Sequence, residues 1–183
     1  MQKLKFIVVG LALLGLTACA STPNPLSADT RDQFFVQNTK VTWALPEEEQ
    51  AIEVKKDAND EGQRAEGRKL LEEKLNVIVA EEFKNSPSGQ TPIDFNVAIK
   101  RYDRVGAAVG NIIGGNDQMV ADVVVTDNSS GQEIAVYEDI VGIRVSSYGV
   151  LGAVIQATTK PDIEGIMASS FAKNLRKRFD QKQ

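Results

Sequence analysis

The chain has 183 residues, with 21 Lys and Arg against 25 Asp and Glu, one cysteine and no histidine. Without histidine there is no Ser-His-Asp or Cys-His triad, no imidazole base and no histidine metal site. One cysteine cannot form an intrachain disulfide, and an acidic balance with no basic patch interleaved with aromatics argues against nucleic acid as a partner.

The chain begins with Lys3 and Lys5, followed by a charge-free apolar run from Phe6 to Leu16. That layout is a secretory signal segment, too short to cross a bilayer comfortably and followed by small residues at a cleavage point. The run ends Leu16-Thr17-Ala18-Cys19, which resembles the lipobox of bacterial lipoproteins. The resemblance implies that residues 1–18 are removed as a signal peptide. It also implies that the Cys19 sulfur is the lipid attachment point and that Cys19 becomes the first mature residue. Ala20 and Ser21 stand where inner-membrane lipoproteins of enteric bacteria often carry aspartate, so the same resemblance implies the outer membrane, facing the periplasm. Two or more acyl chains give stable anchoring where one does not. About 165 residues remain, enough for one domain with one core, and they carry a net charge of about −6.

Residues 19–32 hold Ser21, Pro23, Pro25 and Ser27 with few apolar side chains. They read as a lipidated flexible tether, with a single periplasmic domain over 33–183. Asp32 to Trp43 is rich in β-formers and predicts a strand, bulged where the alternation breaks near Gln37 and Asn38. Lys56 to Lys84 predicts a long helix, with Leu71, Leu75, Ile78, Val79 and Phe83 on one face. Gly62 and Gly67 weaken its first half by about 1 kcal/mol each. Asn85 to Gly89 ends it.

Three strands follow. Ile93, Phe95, Val97 and Ile99 alternate with Asp94, Asn96, Ala98 and Lys100, a period of two that marks a half-buried strand. Met119, Ala121, Val123 and Val125 form one face of the next. Asp127 to Gly131 is a hairpin turn, with glycine supplying positive φ. Ile134 to Val141 is the last strand, with Ile134, Val136 and Ile140 set against Tyr137 and Asp139. The closing helix, Ile163 to Phe179, carries the stripe Ile163, Ile166, Met167, Ser170, Phe171, Leu175 and Phe179. Asp162 suits its start. Lys173, Arg176, Lys177 and Arg178 suit its end, where the dipole favours cations.

This order predicts an α+β fold: a two-layer sandwich with an antiparallel meander sheet of about four strands and two amphipathic helices on one face. If the first strand pairs in parallel, the first helix is its crossover. The plan looks like the small domains of several bacterial envelope lipoproteins, and it is similar to the amino-terminal domain of TolB and the periplasmic part of the curli-secretion lipoprotein CsgG. The closest echo runs from Arg101 through Gly131.

Motifs for chemistry fail on particular missing residues. Gly106 to Gly115 is followed by no Lys-Ser/Thr, so it is not a P-loop. Asp127 to Gly131 lacks the alternating acids of an EF-hand. Asp122, Glu138 and Asp139 are the candidates for a carboxylate pair, but isolated acids on the wet side of a strand are ordinary. No catalytic, cofactor-binding or metal-binding residue is therefore assigned, and no cofactor is expected.

Two glycine-rich apolar stretches are left over. Loops this long and this apolar are unusual. Val109, Ile112 and Ile113 in the first, with Tyr148, Val150, Leu151, Val154 and Ile155 in the second, are the candidate partner-binding residues. The alternative is that the stretches cover each other or a sheet edge. The expected function is a non-enzymatic, membrane-anchored envelope lipoprotein that binds another envelope protein through these stretches or an exposed sheet edge. The alternative is a carrier or sensor of a small apolar ligand or lipid. Partner, pathway and oligomeric state stay open.

Overall fold

Seven elements follow one another: α1 (Ala28–Arg31), β1 (Phe34–Trp43), α2 (Ala58–Phe83), β2 (Thr91–Asp103), β3 (Asn116–Asp127), β4 (Glu133–Val145) and α3 (Ile163–Asp180). The structure is a computed structural model that describes residues 24–44, 58–84, 89–104, 116–145 and 162–181, with backbone alone for 58–64. The fold is α+β, with the strands in the order β1-β2-β3-β4.

The period-two residues do what the alternation demands. Ile93, Phe95, Val97 and Ile99 are fully buried, as are Met119, Ala121, Val123 and Val125. They meet across the β2–β3 ladder, Phe95 opposite Val125 and Val97 opposite Val123. The hairpin between β3 and β4 is built as expected. The Asp127 carboxylate accepts from the Ser129 and Ser130 amides at 3.0 and 2.7 Å, and Gly131 sits at φ 70°. These bonds, that of Ser130 first, hold the Asp127 pKa below its ordinary value.

β2 to β4 form the antiparallel meander. β1 runs parallel to β2, so the sheet is mixed. Parallel neighbours need a crossover long enough to bring the chain back to the same end, and α2 lies within it. The register of β1 shifts between Val36 and Asn38, where its alternation breaks.

Two further bulges change which side chains face the core. In β2 the register slips between Ile99 and Arg101, which turns Tyr102 inward after a run of odd-numbered core residues. In β4 the expected face of Ile134, Val136 and Ile140 is not the one observed. Ala135 and Tyr137 are buried, then Ile140 and Gly142. Glu138 and Asp139 together oppose Asp122, and Asp139 sits at φ 55°. The extra residue flips the strand's parity, which an alternation count cannot anticipate.

The two long helices, α2 and α3, pack on one face of this sheet. Leu71, Leu75 and Val79 of α2 are fully buried, each worth about 1.5–3 kcal/mol. α3 buries Met167, Phe171, Leu175 and Phe179, together with Ala168 and Ala172. Ile166, expected in the stripe, is 44 % exposed, while Glu164 is buried. The small residues let α3 come close to β4: a Cβ on Gly142 would lie 2.5 Å from the Met167 carbonyl. Phe83, Phe95 and Phe179 meet edge to face, with ring centroids 4.9–5.9 Å apart.

Residues 24–32, which their composition assigns to a tether, are packed onto this body. Asn24 and Leu26 are 3 % and 4 % exposed. The Asn24 amide donates to the carbonyls of Arg178, Phe179 and Gln181 at 2.8–3.0 Å. Its oxygen accepts from the Leu26 amide and the Tyr137 hydroxyl. One side chain thus caps the open carbonyls of α3 and fixes the start of the described chain to its end.

Candidate functional site

The described chain breaks off after Ala44, Arg104 and Val145 and resumes at 58, 116 and 162. Because β1 parallels β2 and β3 opposes both its neighbours, the four strand ends at these breaks lie at one end of the sheet, and the first turn of α3 reaches that end through Glu164 and Arg104. The expected partner-binding residues Val109, Ile112, Ile113, Tyr148, Val150, Leu151, Val154 and Ile155 lie outside the described residues, as does Cys19. What is described is the floor from which the two glycine-rich connections start.

That floor is a buried charge network. Asp117 on β3 is 0 % exposed and accepts from Arg144 on β4 at 2.6 Å; the two are register partners. Arg104 Nε lies 3.6 Å from Asp117, and the Arg104 guanidinium pairs with Glu164 in the first turn of α3. The Tyr102 hydroxyl, turned inward by the β2 bulge, donates to Glu164 at 3.1 Å and accepts from Arg104 at 3.3 Å. Trp43 packs edge-on against Tyr102, and the Arg68 guanidinium lies 5.3 Å over the Trp43 ring. Gly67 of α2 fits beneath: a Cβ there would lie 2.6 Å from the Tyr102 hydroxyl and 3.2 Å from Glu164. Its absent side chain makes room for the network, a role beyond its cost to the helix.

The electrostatics suit anchoring. Burial, more than any neighbour, pushes the Tyr102 phenol up to about 12, so it remains a protonated donor at neutral pH. Burial works against the Arg104 charge, but Tyr102, Glu164 and Asp117 outweigh it and hold its pKa above the ordinary value. Two cations and two carboxylates compensate one another and tie β2, β3, β4 and α3 together.

The carboxylates singled out for possible acid–base work are placed differently. Lys100 Nζ lies 2.7 Å from both Asp122 and Asp139. Asp122 also accepts the Asp139 amide at 2.9 Å, which occupies a donor left over by the bulge. The two carboxylates and the lysine therefore clamp the bulges of β2 and β4 to β3. Glu138 stands exposed beside them. The free edge of β4 is partly occupied as well. Asn174 donates to the Val141 carbonyl at 2.8 Å, and the Ile143 amide donates to Ser170 at 3.2 Å, so α3 covers groups that an added strand would need.

Sequence reasoning passed over the Arg104–Glu164 and Arg144–Asp117 pairs. A signal was available: Asp117 has the parity of Met119 and Ala121, so it falls on the inward face. Among the described residues no group of His, Cys, Asp or Glu is placed to hold a metal ion, and no helix is long and apolar enough to cross a membrane.

The fold and its polar floor define a small α+β domain with a packed two-layer body. No protein-family model and no curated protein matches the chain. Among solved structures it is similar to a “putative lipoprotein” from Caulobacter crescentus CB15 at 14% identity and a TM-score of 0.35, over 75% of this chain and 84% of that one. A likeness that distant leaves the reading of this chain to its own residues.

Proposed function

We propose that this chain is a non-enzymatic lipoprotein of the bacterial envelope, anchored through Cys19 and facing the periplasm from the outer membrane. Its α+β domain binds another envelope protein. The observation that carries the reading is the run from Lys3 to Cys19, a basic start, an apolar stretch and a complete lipobox. The plan of the domain is also similar to that of TolB's amino-terminal domain and CsgG's periplasmic part. The committed ion pairs of Asp122, Asp139 and Glu164 support a recognising rather than a reacting module, since each carboxylate is held by a cation.

The partner surface is assigned to the end of the sheet from which the two glycine-rich connections start, the end that holds the Arg104–Asp117 network. Crosslinking and pull-down from membranes test it, comparing the native chain with one carrying Ile113→Asp and Leu151→Asp. Loss of a crosslinked partner from a variant with an unchanged melting curve is the expected result. The same partners retained by that variant would remove the surface assignment. Fatty-acid labelling tests the anchor: it should mark the native chain and vanish in Cys19→Ser.

A further inference from the structure

We infer that the end of the domain where α3 finishes rests on the membrane surface, and that Arg178 takes lipid phosphate groups there. The inference rests on the anchoring of Cys19 proposed above, and it adds which end of the body the anchor holds down.

Chain length is the first argument. Asn24 is fixed to the last carbonyls of α3. An extended chain advances at most about 3.3–3.6 Å per residue, so five steps separate the Cys19 and Asn24 Cα atoms by no more than about 18 Å. The 18 residues of α3 span about 27 Å. The tether is therefore shorter than the body, and the end bearing Asn24 stays near the lipid surface.

Unmatched charge is the second argument. Arg31 is 7 % exposed and donates to the Phe179 and Gln181 carbonyls. Neither Arg31 nor Arg178 makes an ion pair among the described residues; the Arg31 guanidinium is turned to the two carbonyls, and Arg178 is half-exposed. This differs from the opposite end, where Arg104 and Arg144 each have a carboxylate. Asp180 at the same end is engaged by Arg176. The half-exposed Arg178 guanidinium matches the oxygens of a phosphodiester, which it can hold in a two-pronged geometry. Lys177 stands exposed next to Arg178.

End-on placement leaves the Arg104–Asp117 floor facing away from the membrane.

The test uses the full lipidated protein in vesicles of phosphatidylethanolamine and phosphatidylglycerol. Single cysteines, Asp29→Cys beside Arg31 and Asn116→Cys at the far end, carry a fluorophore, and a headgroup-labelled lipid quenches it. Quenching at position 29 should exceed that at 116 at least threefold. Arg178→Gln should shrink the ratio while the protein still floats with vesicles. Equal quenching at the two positions in protein that floats would overturn the orientation and leave the anchor standing. An Arg178→Gln ratio equal to the native one would overturn the phosphate contact. Protein that fails to float would remove the anchor and this inference together.

Discussion

Replacing Asp117 by asparagine keeps the shape of the side chain and removes its charge. Arg144 lies 2.6 Å away and Arg104 3.6 Å away, and Asp117 is 0 % exposed. At an effective dielectric of about 20 the gross attractions are roughly 6 and 5 kcal/mol. Most of that offsets the cost of taking the charges out of water. What the variant exposes is the remainder, two guanidinium groups left with Glu164 as their only carboxylate in the network described above. Breaking a buried pair on one side costs about 3–5 kcal/mol. For a domain of this size that is a fall in melting temperature of about 6–20 °C. The double variant Asp117→Leu with Arg144→Met removes both charges, and it should come within about 1 kcal/mol of the native domain or exceed it. Urea denaturation of the chain without its first 19 residues, followed by far-UV circular dichroism, measures both. A loss under about 1 kcal/mol in Asp117→Asn, or a double variant as unstable as the single, would refute the view that the floor is a compensated network.

Three further outcomes follow from single contacts. Gly67→Ala should destabilise by about 1–3 kcal/mol through overpacking, despite the helix-propensity gain of about 1 kcal/mol. In a Tyr102→Phe background, where the obstructing hydroxyl is gone, the same change should become neutral or stabilising; thermal melts of the four proteins show whether the sign reverses. Asn24→Ala removes the cap on α3 and leaves the Tyr137 hydroxyl without its acceptor, for a loss of about 2–4 kcal/mol. Hydrogen exchange should show the last turn of α3 opening first, and exchange unchanged there would count against the cap. Asp162 is held below the ordinary carboxylate pKa by its bond to Lys74 and by the Gly165 amide it caps. A lowered folded pKa means stability that is present above about pH 4 and lost as pH falls through the folded value. Asp162→Asn should therefore flatten the acid limb of a stability–pH curve below about pH 4 and leave its neutral shape unchanged.

The elements were legible in the sequence because their signals are local. Period-two runs in β2 and β3, the stripe of Leu71, Leu75, Val79 and Phe83, the Asp127–Gly131 turn and the Asp162 cap each involve residues a few positions apart. Their side-chain periods and backbone preferences act before any distant contact forms. The candidate surface was legible only as composition, since glycine-rich apolar stretches reveal unusual loops without saying what they meet.

Tertiary structure decided the rest. Only the meeting of β2, β3 and β4 brings Lys100, Asp122 and Asp139 together and makes sense of two bulges that each flip a strand's inward face. Only burial distinguishes Arg104, Asp117, Arg144 and Glu164 from solvated charges, because their worth depends on partners up to 60 residues away. Only the reach of Asn24 across 157 residues to Gln181 shows that part of the supposed tether belongs to the folded body. Periodicity is a property of neighbours along the chain. Ion pairing, bulge closure and capping across the fold are properties of neighbours in space, and a sequence lists those in no particular order.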